Sequence, residues 1–541
     1  MPFRDRSEAS PAQARLIYRV MSAMTMLAVV TMVAYLCFRL VSLARHAYTN
    51  ADRVAALLLL CADLFLCLHG FGFFVSVIKS TRRRAGLGPD MFAIPSSAPV
   101  AVLIAAFNES EEVLDETIAS ALAMDYPRFH VYLLDDSTRP ECIEGCRRLA
   151  ERYGITLVQR TDRAGYKAGA INDLLPRLTE PYIAILDADQ RPNHPWLREV
   201  VPIMEAEPHL AFIQAPQIYV NTETLPVART SRYQQLVFYE YICEGKSTSN
   251  AMYCCGSNVV LRREALFSIE KVVNGRRHFF DETSVTEDFA TSFLLHLAGW
   301  GTRYVNRPYV VGMGPETLAA YFTQQMRWAI GTLGMGLRAL HVFLTDRHRM
   351  TPAQWWEYLL SCSYYLIGYI NFIFLLAPVA FILLGIRPLR ASPGLYLLVF
   401  LPYLATTLSF FFLSMKLRGH PAGNVWLATA LTFGTFWTFM KATLVAFLGL
   451  KAVFGVTAKG VGGALPVRAL KVELAMMLAN AAAAVAGVWH MARMGMDAAY
   501  VGNTFWASYH VVLLGLLFFY FNRPVEVAPR SALFASAKLT A

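Results

Sequence analysis

YIAILDAD, residues 182–189, is the stretch from which the rest of the chain can be read. Its short, unbroken apolar run suits a strand buried on both faces of a sheet. The run closes on Asp187 and Asp189, carboxylates at i and i+2 ahead of a turn. Two such groups can share one divalent cation, with a diphosphate supplying further oxygens. Taken alone, the tripeptide is a weak signal that more commonly marks a capped turn. Three more runs of the same kind precede it: VAVLIAAF from Val100, HVYLLDD from His130 and ITLVQR from Ile155. Between them lie helical patterns such as SEEVLDETIASALA, with acids in the first turn where the helix dipole favours them. Alternation of this kind predicts a parallel sheet covered by helices, with ligands at the carboxyl ends of the strands. Asn108 and Glu109, Asp135 and Asp136, and Asp187 and Asp189 stand at those ends.

Outward from this domain, expected over 98–349, the composition changes. Of 541 residues, 55% are apolar and only 16% charged, which excludes a soluble multidomain enzyme. A hydrocarbon core needs roughly 20 apolar residues per helical span. Six stretches qualify, near 21–43, 54–78, 355–384, 395–413, 472–490 and 500–521. The first is too long for a signal-peptide core and reads as a retained anchor. The formal charge of +10 gathers beside these runs, as at Lys79 with Arg82, Arg83 and Arg84, and at Lys416 with Arg418. That is the positive-inside pattern of a membrane protein, so no nucleic-acid partner is expected. Arg4, Arg6, Arg15 and Arg19 precede the first span and place the N-terminus in the cytoplasm. An even number of spans puts the middle domain there too, on the inner (plasma) membrane. Nine cysteines without metal-site spacing fit that reducing side. The domain plan is then two spans within 1–97, the α/β insertion, four spans within 350–522, and a short cytoplasmic tail at 523–541. Within 416–469, the stretch 426–450 suits a helix lying in the membrane interface. Asp63, in the second span, either faces the bundle interior or lies near an end.

Two further groups carry chemistry. Thr286-Glu287-Asp288 precedes an apolar helix. It reads as an N-cap with acids behind it, or as a carboxylate placed to take a proton from an acceptor hydroxyl. Gln324, Arg327 and Trp328 share one helical face: an amide, a guanidinium suited to diphosphate oxygens, and an indole suited to a sugar ring. The same face also reads as an interfacial Trp–Arg anchor.

Asp135-Asp136, Asp187-x-Asp189, Thr286-Glu287-Asp288 and Gln324-x-x-Arg327-Trp328 occur in an order that resembles the processive family 2 inverting glycosyltransferases. The bacterial cellulose synthase catalytic subunit and related β-glucan synthases are the nearest in pattern. AAFNE (105–109), YKAGAIN (166–172), CGSNVVLRR (255–263) and FGVTAK (454–459) extend the likeness. The resemblance implies a GT-A-type, Rossmann-like domain inserted in an α-helical membrane protein. It implies UDP-glucose as donor and Mg2+ or Mn2+ as cofactor. The product would be a growing β-glucan polysaccharide extended at its non-reducing end and passed through the lipid bilayer, with accessory export subunits as further partners.

On these positions the resemblance implies that Phe107 and Glu109 hold the uracil. Asp135, Asp136 and Lys167 bind nucleotide and diphosphate, and Gln324 and Arg327 contact the diphosphate. Asp187 and Asp189 coordinate the metal, with Asp187 also at the donor. Asp288 is the general base, while Trp328, Cys255, Glu287 and Thr286 line the acceptor site. Phe454, Val456, Thr457 and Lys459 form a gating loop that closes over the donor. Tyr364, Tyr365, Tyr369, Asn371, Trp437, Trp506 and Tyr509 are candidates for a channel lining. Two departures stand out: Ser137-Thr138 follows Asp136 where many relatives carry glycine, and no cyclic-di-GMP-binding domain follows the last span. The competing expectations are a synthase of mannan from GDP-mannose or of an N-acetylglucosamine polymer, a non-processive transferase acting on a lipid carrier, and a transport-only membrane protein with a dead sheet domain.

Overall fold

A computed structural model describes residues 11–46, 48–82, 96–420, 422–450 and 463–525. Among them, six helices are long and apolar enough to cross a membrane: Ala12–Arg45, Asn50–Arg82, Pro352–Leu384, Pro393–Leu417, Val467–Met494 and Ala498–Phe521. Each overruns its apolar stretch by a few residues, because helical hydrogen bonding continues into the polar flanks. The helix expected over 426–450 is two, Val425–Gly434 and Phe436–Phe447, bent by 47°. At the bend the Thr435 hydroxyl donates to the Leu431 carbonyl at 2.6 Å, a back-bond that bends helices. Gly434 also lies so close to the last span that a Cβ there would meet Leu517 at 2.6 Å.

Asp63 is buried between the first two spans. Its Oδ2 lies 3.0 Å from Arg39 Nε and accepts from the Tyr35 hydroxyl at 3.2 Å. Of the two placements open to it, the interior is the one observed. An unpaired charge there would be expensive, so the pair explains why both residues are tolerated.

Between the second and third spans the chain builds a seven-stranded sheet. Its strands are β1 (Val100–Ala106), β2 (Phe129–Asp135), β3 (Thr156–Gln159), β4 (Tyr182–Asp187), β5 (Leu210–Gln214), β6 (Val259–Arg262) and β7 (Gly301–Tyr304). Their order is β7-β5-β6-β4-β1-β2-β3. The period of two sorts side chains to opposite faces. Val100, Val102 and Ile104 pack under Leu114, Ile118, Trp196 and Val200, while Ala101 and Leu103 meet Ile171, Leu174 and Leu266 on the other side. Both faces are therefore covered, each large buried side chain contributing about 1.5–3 kcal/mol.

The sheet is not wholly parallel as expected. β6 runs antiparallel to both β4 and β5. Its leading end therefore reaches the same sheet edge as the trailing ends of β1, β2 and β4. Residues 254–258, which enter β6, consequently arrive beside the DAD turn. The arrangement is GT-A-like mixed α/β with candidate membrane helices on either side. From it emerges one long helix, Leu318–Asp346, capped by the Thr317 hydroxyl. Its Ala329 and Leu333 pack on Phe439 and Ala442 of the bent pair.

Candidate active site

Adjacent residues on a strand point to opposite faces, so Asp135 and Asp136 cannot serve the same purpose. Asp135 is held inside the domain. Its Oδ1 accepts from the Ser137 N–H at 2.9 Å and its Oδ2 from the Gln159 amide at 2.8 Å. Asp136 is buried too, and is gripped on both oxygens by Arg160, Nε to Oδ1 at 2.8 Å and Nη2 to Oδ2 at 2.6 Å. This two-pronged pair is geometrically specific. Arg160 carries no motif in the sequence and was not anticipated. Ser137 and Thr138, the residues that depart from glycine, latch β1 to β2. Ser137 Oγ accepts the Asn108 N–H at 2.9 Å, and Asn108 Oδ1 accepts the Thr138 N–H at 2.8 Å. Asn108 adopts φ 55, which asparagine tolerates, and Phe107 beside it is exposed. Glu109 follows, half-buried at the same rim.

At the end of β4 the pieces converge. Lys167 Nζ donates to Asp187 Oδ1 at 2.5 Å and to the Gly256 carbonyl at 2.8 Å. Gly256 sits at φ +89, and a Cβ there would stand 3.1 Å from Asp288 Oδ2. The absent side chain is what lets that carboxylate approach. Gln190, fully buried and also unanticipated, ties the DAD turn to the same loop. Its Oε1 accepts the Asp187 N–H at 2.9 Å and its Nε2 donates to Ser257 Oγ at 2.7 Å. Gln214 holds the Cys255 N–H at 2.9 Å. Ser292 Oγ accepts the Cys254 N–H at 2.8 Å and donates to the Asp288 carbonyl at 2.7 Å, fixing this loop against the helix Glu287–Leu297.

Burial pushes the Asp288 carboxyl up to about 7, and the neighbouring Glu287 charge pushes the same way. The Phe289 N–H, Lys167 and Arg327 act in the opposite sense. Burial likewise raises Glu287 against the pull of Lys167 and Arg327. A carboxylate whose proton affinity lies near neutrality is suited to general-base work. Burial also raises the Cys255 thiol well above its ordinary value, so it is a neutral contact rather than a nucleophile.

Thr286 does not cap its helix through the side chain. It is buried against the long helix instead: a Cβ on Gly331 would fall 2.3 Å from Thr286 Oγ1. Gly331 lies one turn beyond Arg327 and Trp328, so this contact sets the distance between the two motifs. Gln324 and Trp328 are half-buried on that helix. Gln324 reaches the buried Tyr219 hydroxyl, which also feels the charges of Asp189 and Arg327. The helix face thus joins the two acidic groups, with Arg327 acting electrostatically on Glu287, Asp288 and Tyr219.

Asp187 and Asp189 are both half-buried at the turn. Among the described residues no third Asp, Glu, His or Cys completes a metal-binding group. Two hard oxygen donors fit Mg2+ or Mn2+ shared with a diphosphate, and do not fit a structural cage. Phe454, Val456, Thr457 and Lys459 lie outside the described residues. Of the channel candidates, Asn371 is buried and donates to the Thr432 carbonyl at 3.3 Å, while Tyr365 packs on Phe439. Trp437 is half-buried against the cluster around Leu375, Phe436 and Leu514. Tyr369 is half-buried, whereas Tyr364 and Trp506 are exposed, the latter beside Tyr509.

Comparison with known proteins matches residues 97–331 to the model of the glycosyltransferase like family 2. The UDP-forming cellulose synthase catalytic subunit of Pseudomonas fluorescens is 29% identical over 373 residues, covering 67% of this chain and 47% of that protein. Cellulose synthase 2 of Novacetimonas hansenii is 28% identical over 393 residues, covering 70% and 23% respectively. The UDP-forming cellulose synthase 1 catalytic subunit of Komagataeibacter xylinus is 28% identical, covering 64% and 45%. The chain therefore spans less than half the length of these relatives. Among solved structures, a Pyrobaculum calidifontis mannosyltransferase, PcManGT, in complex with GDP-Man and Mn2+, has a TM-score of 0.47 at 17% identity. It covers 72% of this chain and 99% of its own.

Proposed function

We propose that the chain, whose residues 97–331 match the model of the glycosyltransferase like family 2, is a processive membrane polysaccharide synthase. It transfers glucose from UDP-glucose to the non-reducing end of a growing β-glucan and passes the polymer through its helical bundle. The observation that carries this reading is the approach of the Asp288 carboxylate, across Gly256, to the Lys167–Asp187 pair. It brings a base with raised proton affinity beside groups suited to a diphosphate. Sequence likeness to cellulose synthases over about two thirds of the chain supports the polymer class.

The reaction is a single in-line displacement. Asp288 accepts the proton of the acceptor hydroxyl, whose oxygen attacks the anomeric carbon as UDP departs on the opposite side, so the configuration inverts. Lys167 and Arg327 meet charge on the departing diphosphate, with Gln324 beside them. Mg2+ or Mn2+ held by Asp189 and Asp187 would supply further charge neutralisation. Asp136, fixed by Arg160, and the rim of Phe107 and Glu109 take the nucleoside. Trp328, Cys255, Glu287 and Thr286 orient the acceptor. The basic flanks of the spans support a cytoplasmic catalytic domain on the inner membrane.

The test offers purified protein in lipid UDP-glucose, GDP-mannose and UDP-N-acetylglucosamine, each with Mg2+ or Mn2+. Linkage-specific glucanases then digest the product. Glucanase-sensitive polymer from UDP-glucose is expected. Incorporation of one sugar into lipid extract, or polymer from another donor alone, refutes the reading.

A further inference from the structure

Where the fourth span meets the catalytic domain, charge is buried out of reach of water. The helix Pro226–Val237 continues through a π-helical turn, Phe238–Cys243, into Glu244–Thr248. Such turns are rare inside helices and gather at functional sites. One side of this turn carries Tyr239 and Cys243, which pack in the core with Met252 and Cys254, and Cys255 rests against that core. The other side carries Glu240 and, four residues on, Glu244, both buried.

Arg418, one residue past the fourth span, reaches this second side. Its Nη1 lies 3.3 Å from Glu240 Oε2 and its Nη2 2.9 Å from Glu244 Oε2. It donates as well to the Glu240 carbonyl and to the Ser80 hydroxyl at the end of the second span. Ser80 in turn donates to Glu244 Oε2 at 2.5 Å, and His420 contacts Glu240 Oε1 at 2.7 Å. Two membrane spans are thus fastened to the back of the turn whose front supports Cys255. Buried ion clusters add little stability over an apolar replacement. What a planar guanidinium does supply is fixed geometry between two carboxylates.

We propose that Arg418 is a positioning residue for the acceptor: it locks the turn 238–243, and through it the loop at Cys254 and Cys255, to the membrane bundle. Transfer to a polymer end held in the bundle then depends on this lock, whereas the nucleoside end of the donor, at Asp136 and Arg160 beyond β4 and β1 in the sheet order, does not. The proposal rests on the polysaccharide-synthase reading above.

The full-length protein in lipid nanodiscs, given UDP-glucose and Mn2+, provides the test. UDP affinity, UDP release, polymer yield and polymer length are measured together. With Arg418→Met, UDP affinity should stay within about twofold while polymer yield falls about tenfold or more. Chains should shorten, and UDP released per sugar incorporated should rise. Arg418→Lys, which keeps the charge but not the fork, should recover part of the yield. Wild-type yield and length in Arg418→Met overturn the proposal, as does a loss of UDP affinity in step with yield. If Arg418→Met does not fold, the variant Arg418→Met/Glu240→Gln/Glu244→Gln, with no unpaired buried charge, is judged by the same two results. Failure of both to fold assigns the cluster to stability alone and overturns the proposal. Failure of the underlying reading shows separately, as no polymer from the wild type.

Discussion

Alanine at Gly331 perturbs the junction between the two motifs without touching either. The added Cβ would lie 2.3 Å from Thr286 Oγ1 and 2.4 Å from Thr286 Cγ2. Optimal contacts between such atoms lie near about 3.5 Å, so the helix Leu318–Asp346 and the start of Glu287–Leu297 must part by about 1 Å. Overpacking of this kind costs about 1–3 kcal/mol, and the gain in helix propensity returns up to about 1 kcal/mol. Net destabilisation should therefore be at most about 2–3 kcal/mol. The catalytic loss should be larger, because a misplacement of about 1 Å costs on the order of 100-fold, and the shift separates Arg327 and Trp328 from Glu287 and Asp288. Gly334, on the same helix, has nothing within 4 Å of the corresponding Cβ position. Gly334→Ala should keep full activity and gain up to about 1 kcal/mol. Steady-state UDP release and polymer yield, with thermal unfolding of the same preparations, separate the two effects. A Gly331→Ala protein with wild-type kcat refutes the argument that this contact aligns the site.

Four further outcomes are expected. Asp288→Asn should lower sugar incorporation by about 10²–10⁴-fold while leaving UDP affinity nearly unchanged; retained turnover removes Asp288 from its role. Because the Asp288 carboxyl is raised from 3.8 to about 7, wild-type kcat/KM should climb as pH rises through about 7. Between those values the native state keeps a proton that the unfolded chain has lost, so this group's contribution to stability falls as pH rises, and Asp288→Asn should flatten that slope. Arg160→Met, by leaving Asp136 charged and unmatched in a buried place, should destabilise by about 3–5 kcal/mol and raise the donor KM; calorimetry and donor titration check both. Chelation with EDTA should abolish transfer, with Mg2+ or Mn2+ restoring it, and Asp189→Asn should raise the metal concentration needed for half-activity.

How far the sequence reveals the site depends on the range of each interaction. The strands that end at Asp135 and Asp187, the helix that starts at Glu287 and the shared face of Gln324, Arg327 and Trp328 are local patterns, and the structure has each of them. Alternation of strand side chains tells that Asp135 and Asp136 point apart, but not which of them Gln159 and which Arg160 holds. Arg160, Gln190 and Gln214 were hidden because their roles are set by partners 24, 67 and 41 residues away. The direction of β6 was equally hidden, since a short apolar run looks the same read parallel or antiparallel. The bend at Gly434 interrupts a stretch that reads as one helix and depends in part on Leu517, far along the chain.

The insertion of β6 between β4 and β5 has a consequence for the nascent chain. As translation proceeds, β1 to β4 emerge first and β5 follows, yet these two parts of the sheet share no backbone pairing until residues 259–262 leave the ribosome. Both facing strand edges stay open in the meantime, a template for pairing with other chains. A ribosome stalled before that point would therefore hold an unfinished, sticky sheet next to the bilayer, and a pause just after it would favour closure. Synonymous changes that shift the timing around this strand should alter the yield of folded protein without altering a single side chain.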